Sequence, residues 1–114
     1  DREHGGVFVE GPHAGGVYDM EKEFWQQAEV LIGTLDATLM FGEDRYWDAF
    51  KNVHRFVLDK MVNKKTGEWY PLMTREGKPI WTHMGHSWKI NYHTVRSMIQ
   101  SINRLRILEK EPGL

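Results

Sequence analysis

His86-Ser87-Trp88-Lys89-Ile90-Asn91-Tyr92-His93-Thr94-Val95-Arg96 marks where a loop bearing glycine and histidines, Thr82 to Ser87, gives way to the last strongly periodic run of the chain. From there apolar residues fall at Tyr92, Val95, Ile99, Ile102 and Leu105 or Leu108, the spacing of one face of an α-helix. The pattern predicts a helix over 91–108, with Tyr92 and His93 in or near its first turn. Trp88 then lies in the entry loop and Arg96 one turn further in. A histidine in a first turn meets the positive end of the helix dipole, which disfavours imidazolium and favours the neutral ring. Neutral imidazole accepts a proton, so His93 suits a general base. It suits equally a histidine that only caps or packs.

Upstream, the pattern predicts two more helices. The first runs over 20–41, with Asp19 as N-cap, Glu21 and Glu23 favourable in its first turn, and Gly42 as the stop. Its buried stripe is Phe24, Ala28, Leu31, Ile32, Leu35 and Leu39. Trp25 falls in the first turn and Glu29 one turn later on the same face. Trp25 is either a core aromatic or a flat platform for the apolar C–H face of a pyranose. The second helix runs over 44–62 from Asp44, with a stripe of Tyr46 or Trp47, Phe50, Val53, Val57 and Met61. His54 borders that stripe and reads as packing or surface. Asn63 to Gly67 reads as a solvated turn, not a basic patch. Glu68–Met73 and Lys78–Trp81 are expected to pair as a hairpin across Arg75-Glu76-Gly77, confined to edges by Pro71 and Pro79. Residues 1–20 hold too many glycines for a helix, with one weak strand at Gly6–Glu10. His4 and His13 read as loop bystanders.

The chain has 114 residues, 40% apolar and 27% charged, in the range of an ordinary globular protein. A net charge of −1 offers no basic footprint, which argues against nucleic acid. No apolar run approaches the ~20 residues that span a bilayer, so no membrane partner is expected. Zero cysteines exclude a disulfide framework and thiol chemistry. A soluble cytoplasmic protein is the expectation.

Three helices joined by modest connections alternate in direction, so the first and third are parallel and start on the same side. That brings Trp25, Trp88 and His93 to one mouth, with His83 and His86 in its loops. The opposite end offers the Gly42 turn and the Pro112-Gly113 tail. Two tryptophans beside a helix-start histidine suit a carbohydrate better than a phosphate or a metal. His83, His86 and His93 have no carboxylate at ligand spacing, and no metal or other cofactor is expected.

Trp88-Lys89-x-x-Tyr92-His93-x-x-Arg96 resembles the C-terminal signature of the N-acylglucosamine 2-epimerase family, which includes cellobiose 2-epimerases. Phe24-Trp25-Gln26-Gln27-Ala28-Glu29 and Gly67-Glu68-Trp69-Tyr70 are similar to two further stretches of that family, in its order and roughly its spacing. Family members are several times longer, so the likeness is to their C-terminal portion. The resemblance implies an all-α fold, the C-terminal segment of a single (α/α)6-barrel domain, here with a short hairpin. The first and third helices would be inner and the second outer, with the site at the inner-helix N-termini. It implies a sugar 2-epimerase or aldose–ketose isomerase, working through a cis-enediol formed by removing the C2 proton of an opened aldose. His93 would be one acid/base, with Trp25, Trp88, Glu29 and Arg96 binding substrate, and Glu29 is expected to pair with Arg96. A second histidine lies in no recognisable motif here, so this chain alone should be inactive. Three helices cannot close such a barrel, so an apolar face should stay uncovered for the rest of it. Ile90-Asn91 ahead of Tyr92, where many cellobiose epimerases have a proline, and Phe24 in place of a first tryptophan leave the mono- or disaccharide open. Other readings are a non-catalytic carbohydrate-binding piece and a helical interaction domain.

Overall fold

The computed structural model describes residues 1–111. Three helices carry it: α1 (Phe24–Phe41), α2 (Asp44–Phe56) and α3 (Tyr92–Lys110). Three short strands, β1 (Lys22–Glu23), β2 (Leu72–Met73) and β3 (Pro79–Trp81), form an antiparallel sheet in the order β1-β2-β3. The expected hairpin is β2–β3; the third strand was not expected. It makes β2 central despite Pro71, whose missing N–H falls just outside the ladder and whose carbonyl accepts the Phe24 N–H at 3.1 Å.

That strand corrects the predicted start of α1. Asp19 does not cap a helix: its Oδ1 accepts the Glu21 N–H at 2.8 Å, turning the chain into β1. Lys22 and Glu23 then pair with Met73 and Leu72, and helix begins only at Phe24. Asp44 is likewise the first helical residue and not the cap. Gly42 ends α1 as expected, at φ 64°, with its N–H on the Thr38 carbonyl at 2.9 Å. Beyond Phe56, α2 continues as a π-turn over Val57–Met61, closed by the Val62 N–H on the Val57 carbonyl at 2.9 Å.

The core joins Phe24, Ala28, Leu31 and Leu35 of α1 to Phe50, Val53 and Phe56 of α2 and to Val57 and Met61, with Trp69 and Met73 closing it. Thr38 takes the buried place expected of Leu39, which is half-buried. His54 stacks on Phe50 with ring centroids 5.2 Å apart, a packing role. The expected strand at Gly6–Glu10 does not form. Val7 instead exchanges two 2.8 Å hydrogen bonds with the Gln27 side-chain amide, which takes the place of a strand neighbour. Only glycine serves beside it: Gly6 has φ 76°, and a Cβ there would lie 2.9 Å from Gln27 Oε1. The segment is also held by the buried Lys22 ammonium, 3.0 Å from Asp1 Oδ2 and 2.7 Å from the Arg75 carbonyl.

Helices α1 and α3 run parallel, as a ladder of polar contacts with nearly constant offset requires. Glu29 meets Arg96, the Ala28 carbonyl accepts the Ser97 hydroxyl at 2.7 Å, and Asp36 Oδ2 meets Arg104 at 3.1 Å. The face of α3 turned to α1 is small and polar: Thr94, Ser97 and Ser101 are buried. Its apolar stripe faces outward, with Tyr92, Val95, Met98, Ile99 and Ile102 each 46–59% exposed. The uncovered apolar face is therefore present, and it lies on α3. The Pro112-Gly113 tail is outside the described residues.

Candidate functional site

Parallel packing sets the first turns of α1 and α3 side by side. Trp25 is the second residue of α1 and His93 the second of α3, and their ring centroids lie 5.9 Å apart. Phe24 and Tyr92 meet the His93 ring edge-on, at 6.1 and 5.0 Å. Below them, Glu29 Oε1 lies 3.0 Å from His93 Nδ1 and 2.8 Å from Arg96 Nη1. The same guanidinium nitrogen reaches Oε2 at 2.8 Å. The expected Glu29–Arg96 pair is thus in place, and Glu29 holds His93 as well.

These contacts keep the Glu29 carboxylate ionised. Partial burial pushes the Glu29 carboxyl up, but hydrogen bonds from His93 and Arg96 outweigh it and hold its pKa below 4.5. An ionised carboxylate only accepts, so His93 Nδ1 carries the proton and donates. The other ring nitrogen, Nε2, makes no hydrogen bond among the described residues. The side chains of His93 and Arg96 are 31% and 39% exposed, and Trp25 is 39% exposed, so the cluster opens to solvent. A cavity of about 490 Å³ lies apart from it, between Gly42, Trp47 and Leu108 at the far end of α1.

Trp88 is not drawn into this cluster. It stands 87% exposed at the tip of a tight turn in which His86 and Lys89 exchange backbone hydrogen bonds at 3.3 and 3.0 Å. Its N–H donates to His86 Nδ1 at 3.2 Å, and the His86 ring packs edge-on against Phe24 at 6.4 Å. The Trp88 turn is thereby joined to the His93 cluster through Phe24. His83 and His86 pack on each other and on Trp81, and the described residues contain no group of three side chains that could hold a metal ion.

Sequence reasoning passed over the neighbours beneath this turn. Lys89 is buried, with Nζ 2.9 Å from Glu68 Oε1 and 2.9 Å from the Met84 carbonyl. Both residues belong to stretches singled out in the sequence, but nothing local signals that they meet.

Comparison with known proteins bears on this geometry. The family described as N-acylglucosamine 2-epimerase (GlcNAc 2-epimerase) matches residues 1–97. A cellobiose 2-epimerase of Eubacterium cellulosolvens is 31% identical over 86 residues, which is 75% of this chain and 21% of that protein. The structure of cellobiose 2-epimerase from Spirochaeta thermophila DSM 6192 aligns with a TM-score of 0.77 at 34% identity, over 83% of this chain and 24% of that one. A crystal structure of D-mannose isomerase aligns at 0.83 over 90% of this chain and 26% of that one; at 21% identity it speaks for the fold alone. The chain spans about a fifth of the length of the curated relatives it matches. The fold class is that of the (α/α)6 barrels, with the small sheet added.

Proposed function

We propose that this chain, which belongs to the N-acylglucosamine 2-epimerase family, is the C-terminal part of a single (α/α)6-barrel sugar 2-epimerase or aldose–ketose isomerase. Its substrate is a mono- or disaccharide that reacts as the opened aldose. The observation that carries this reading is the Glu29–His93 pair at the start of α3, with an unbonded Nε2 beside exposed Trp25. A histidine that merely capped α3 would bond its own helix; His93 bonds a carboxylate on α1. A helical interaction domain would favour a fully buried His93, whereas this ring is 31% exposed with Nε2 unbonded.

In the proposed reaction, His93 Nε2 takes the C2 proton, and the electron pair passes towards C1 to give a cis-enediolate. Ionised Glu29 stabilises the imidazolium as it forms, as a carboxylate behind a catalytic histidine does. Return of a proton to the opposite face of C2, as the O1 charge re-forms the C1 carbonyl, gives the epimer; return to C1, with the O2 proton passing to O1 as the C2 carbonyl forms, gives the ketose. C2 protons are weakly acidic, so donors to the developing oxyanion must share the barrier. Arg96, with nitrogens not engaged by Glu29, suits that role and the binding of sugar hydroxyls. Trp25 and Trp88 supply flat apolar surface for the ring faces. The second histidine and the remaining barrel wall come from outside these residues, so the segment alone is inactive. A cytoplasmic location is part of the same proposal; among the described residues no helix is long and apolar enough to cross a membrane.

The test is washout of the C2 hydrogen of an aldose in deuterated water by the complete enzyme. His93→Asn should lower it by ~10²–10⁴-fold, the usual cost of losing a general base, while sugar binding stays within a few-fold. Exchange at near wild-type rate would remove His93 as the base.

A further inference from the structure

We infer that Lys89 and Glu68 are positioning residues for Trp88, their ion pair setting where the tip of the 86–89 turn stands relative to the His93 cluster. The inference rests on the sugar-isomerase reading for what Trp88 meets, though not for how Trp88 is held.

Nothing holds the Trp88 side chain directly. It is 87% exposed and makes no side-chain hydrogen bond or ring contact among the described residues. Its place is set through the backbone, by the His86–Lys89 pairing and the bond to His86 Nδ1. That turn is tied to the body of the protein by the next residue. The Lys89 side chain is 2% exposed, its Nζ lies 5.3 Å from the Phe24 ring centroid, and it reaches Glu68 Oε1 and the Met84 carbonyl at 2.9 Å each. Glu68 is anchored in turn, since Oε1 also accepts the N–H of Trp69, a core residue 4% exposed. A rigid chain therefore runs from the core at Trp69 through Glu68 and Lys89 to Trp88. Within this turn Lys89 is turned inward and its neighbour Trp88 outward, so a shift of the Lys89 backbone would carry Trp88 with it. An ammonium in such a place cannot drift, because a buried charge away from its partner is strongly unfavourable.

A merely stabilising ion pair would move neither substrate affinity nor the mobility of Trp88. Lys89→Met keeps the apolar stem and leaves Glu68, 29% exposed, to be solvated, so it removes the tie without stranding a charge. Glu68→Asp, which keeps both charges and withdraws the carboxylate by one methylene, is a second variant with a smaller effect in the same direction. In the complete enzyme, KM and kcat for C2-hydrogen exchange are measured for wild type, Lys89→Met, Trp88→Ala and the double variant. Fluorine NMR of 5-fluorotryptophan-labelled protein follows Trp88 itself, its resonance assigned by its loss in Trp88→Ala. Lys89→Met should raise KM roughly tenfold with less effect on kcat, and add little in the Trp88→Ala background, as residues sharing one network do. Its Trp88 resonance should sharpen to that of a mobile ring. Penalties that add in full, or an unchanged Trp88 line, overturn the inference. If wild type exchanges no C2 hydrogen, the sugar-isomerase reading fails, and the fluorine line alone then decides the positioning inference.

Discussion

Glu29 serves two neighbours with one carboxylate, orienting the His93 ring while neutralising Arg96. Its folded pKa is depressed, so the sign of its linkage is fixed. The stabilisation it gives is complete above the unfolded value near 4.5 and is lost as pH falls through the lower folded value. The thermal midpoint should therefore hold from neutrality to about pH 5 and then decline, and Glu29→Gln should flatten that acid limb. Melting curves collected across that range by circular dichroism test this; an unaltered limb in Glu29→Gln would mean that the pair contributes nothing to folding. The same variant should slow C2 exchange more than it weakens binding, because a neutral amide no longer stabilises imidazolium. At this scale the sequence was informative. His93, Trp25, Glu29 and Arg96 stand in short motifs at helical spacing, so a helix start on the page becomes a cluster in space. The Glu68–Lys89 pair stayed hidden because its members come from a turn and a loop with no periodic relation.

Among the elements, α3 carries the instructive departure. Periodicity places its residues on faces but does not say which face meets which neighbour. The apolar stripe of Tyr92, Val95, Ile99 and Ile102 marks one face of the helix, and in this chain the small face of Thr94, Ser97 and Ser101 is the one inside. Small side chains let α3 approach Ala28 closely enough for the Ser97 hydroxyl to reach its carbonyl. Ser97→Leu should cost about 1–3 kcal/mol through overpacking, whereas Ser97→Ala should cost about 0.5–1.5 kcal/mol for the lost hydrogen bond. Urea titration distinguishes them, and a neutral Ser97→Leu would mean the helices are not in close contact there. Asp19 failed as a cap for a related reason. Its neighbours enter a strand whose partner, Leu72–Met73, lies far along the chain and leaves no mark on the local pattern.

For the whole molecule, principal extents of 41 × 35 × 22 Å describe a slab, not a ball. One broad side of α3 is apolar and uncovered, with more large side chains in a row than the scattered apolar residues of a monomer surface. We expect the remaining barrel to seat there. The isolated segment should self-associate through this face, and Ile99→Lys with Ile102→Lys should return it to a monomer in sedimentation velocity. A wild-type segment that sediments as a monomer at all concentrations would count against this. The parallel docking of α1 and α3 also has a kinetic consequence. Helices α1 and α2 are joined by a tight turn and can meet early, whereas Glu29 and Ser97 find Arg96 and Ala28 only after α2 and the hairpin have been traversed. Closing a long loop comes before the contacts that reward it, so such non-local docking is slow and late. Contacts formed after the rate-limiting step affect chiefly the speed of unfolding. Damage at Ser97 should therefore shorten the lifetime of the folded state while leaving its rate of formation nearly unchanged, and the corner where Glu29 meets His93 and Arg96 would be the last part to assemble and the first to come apart.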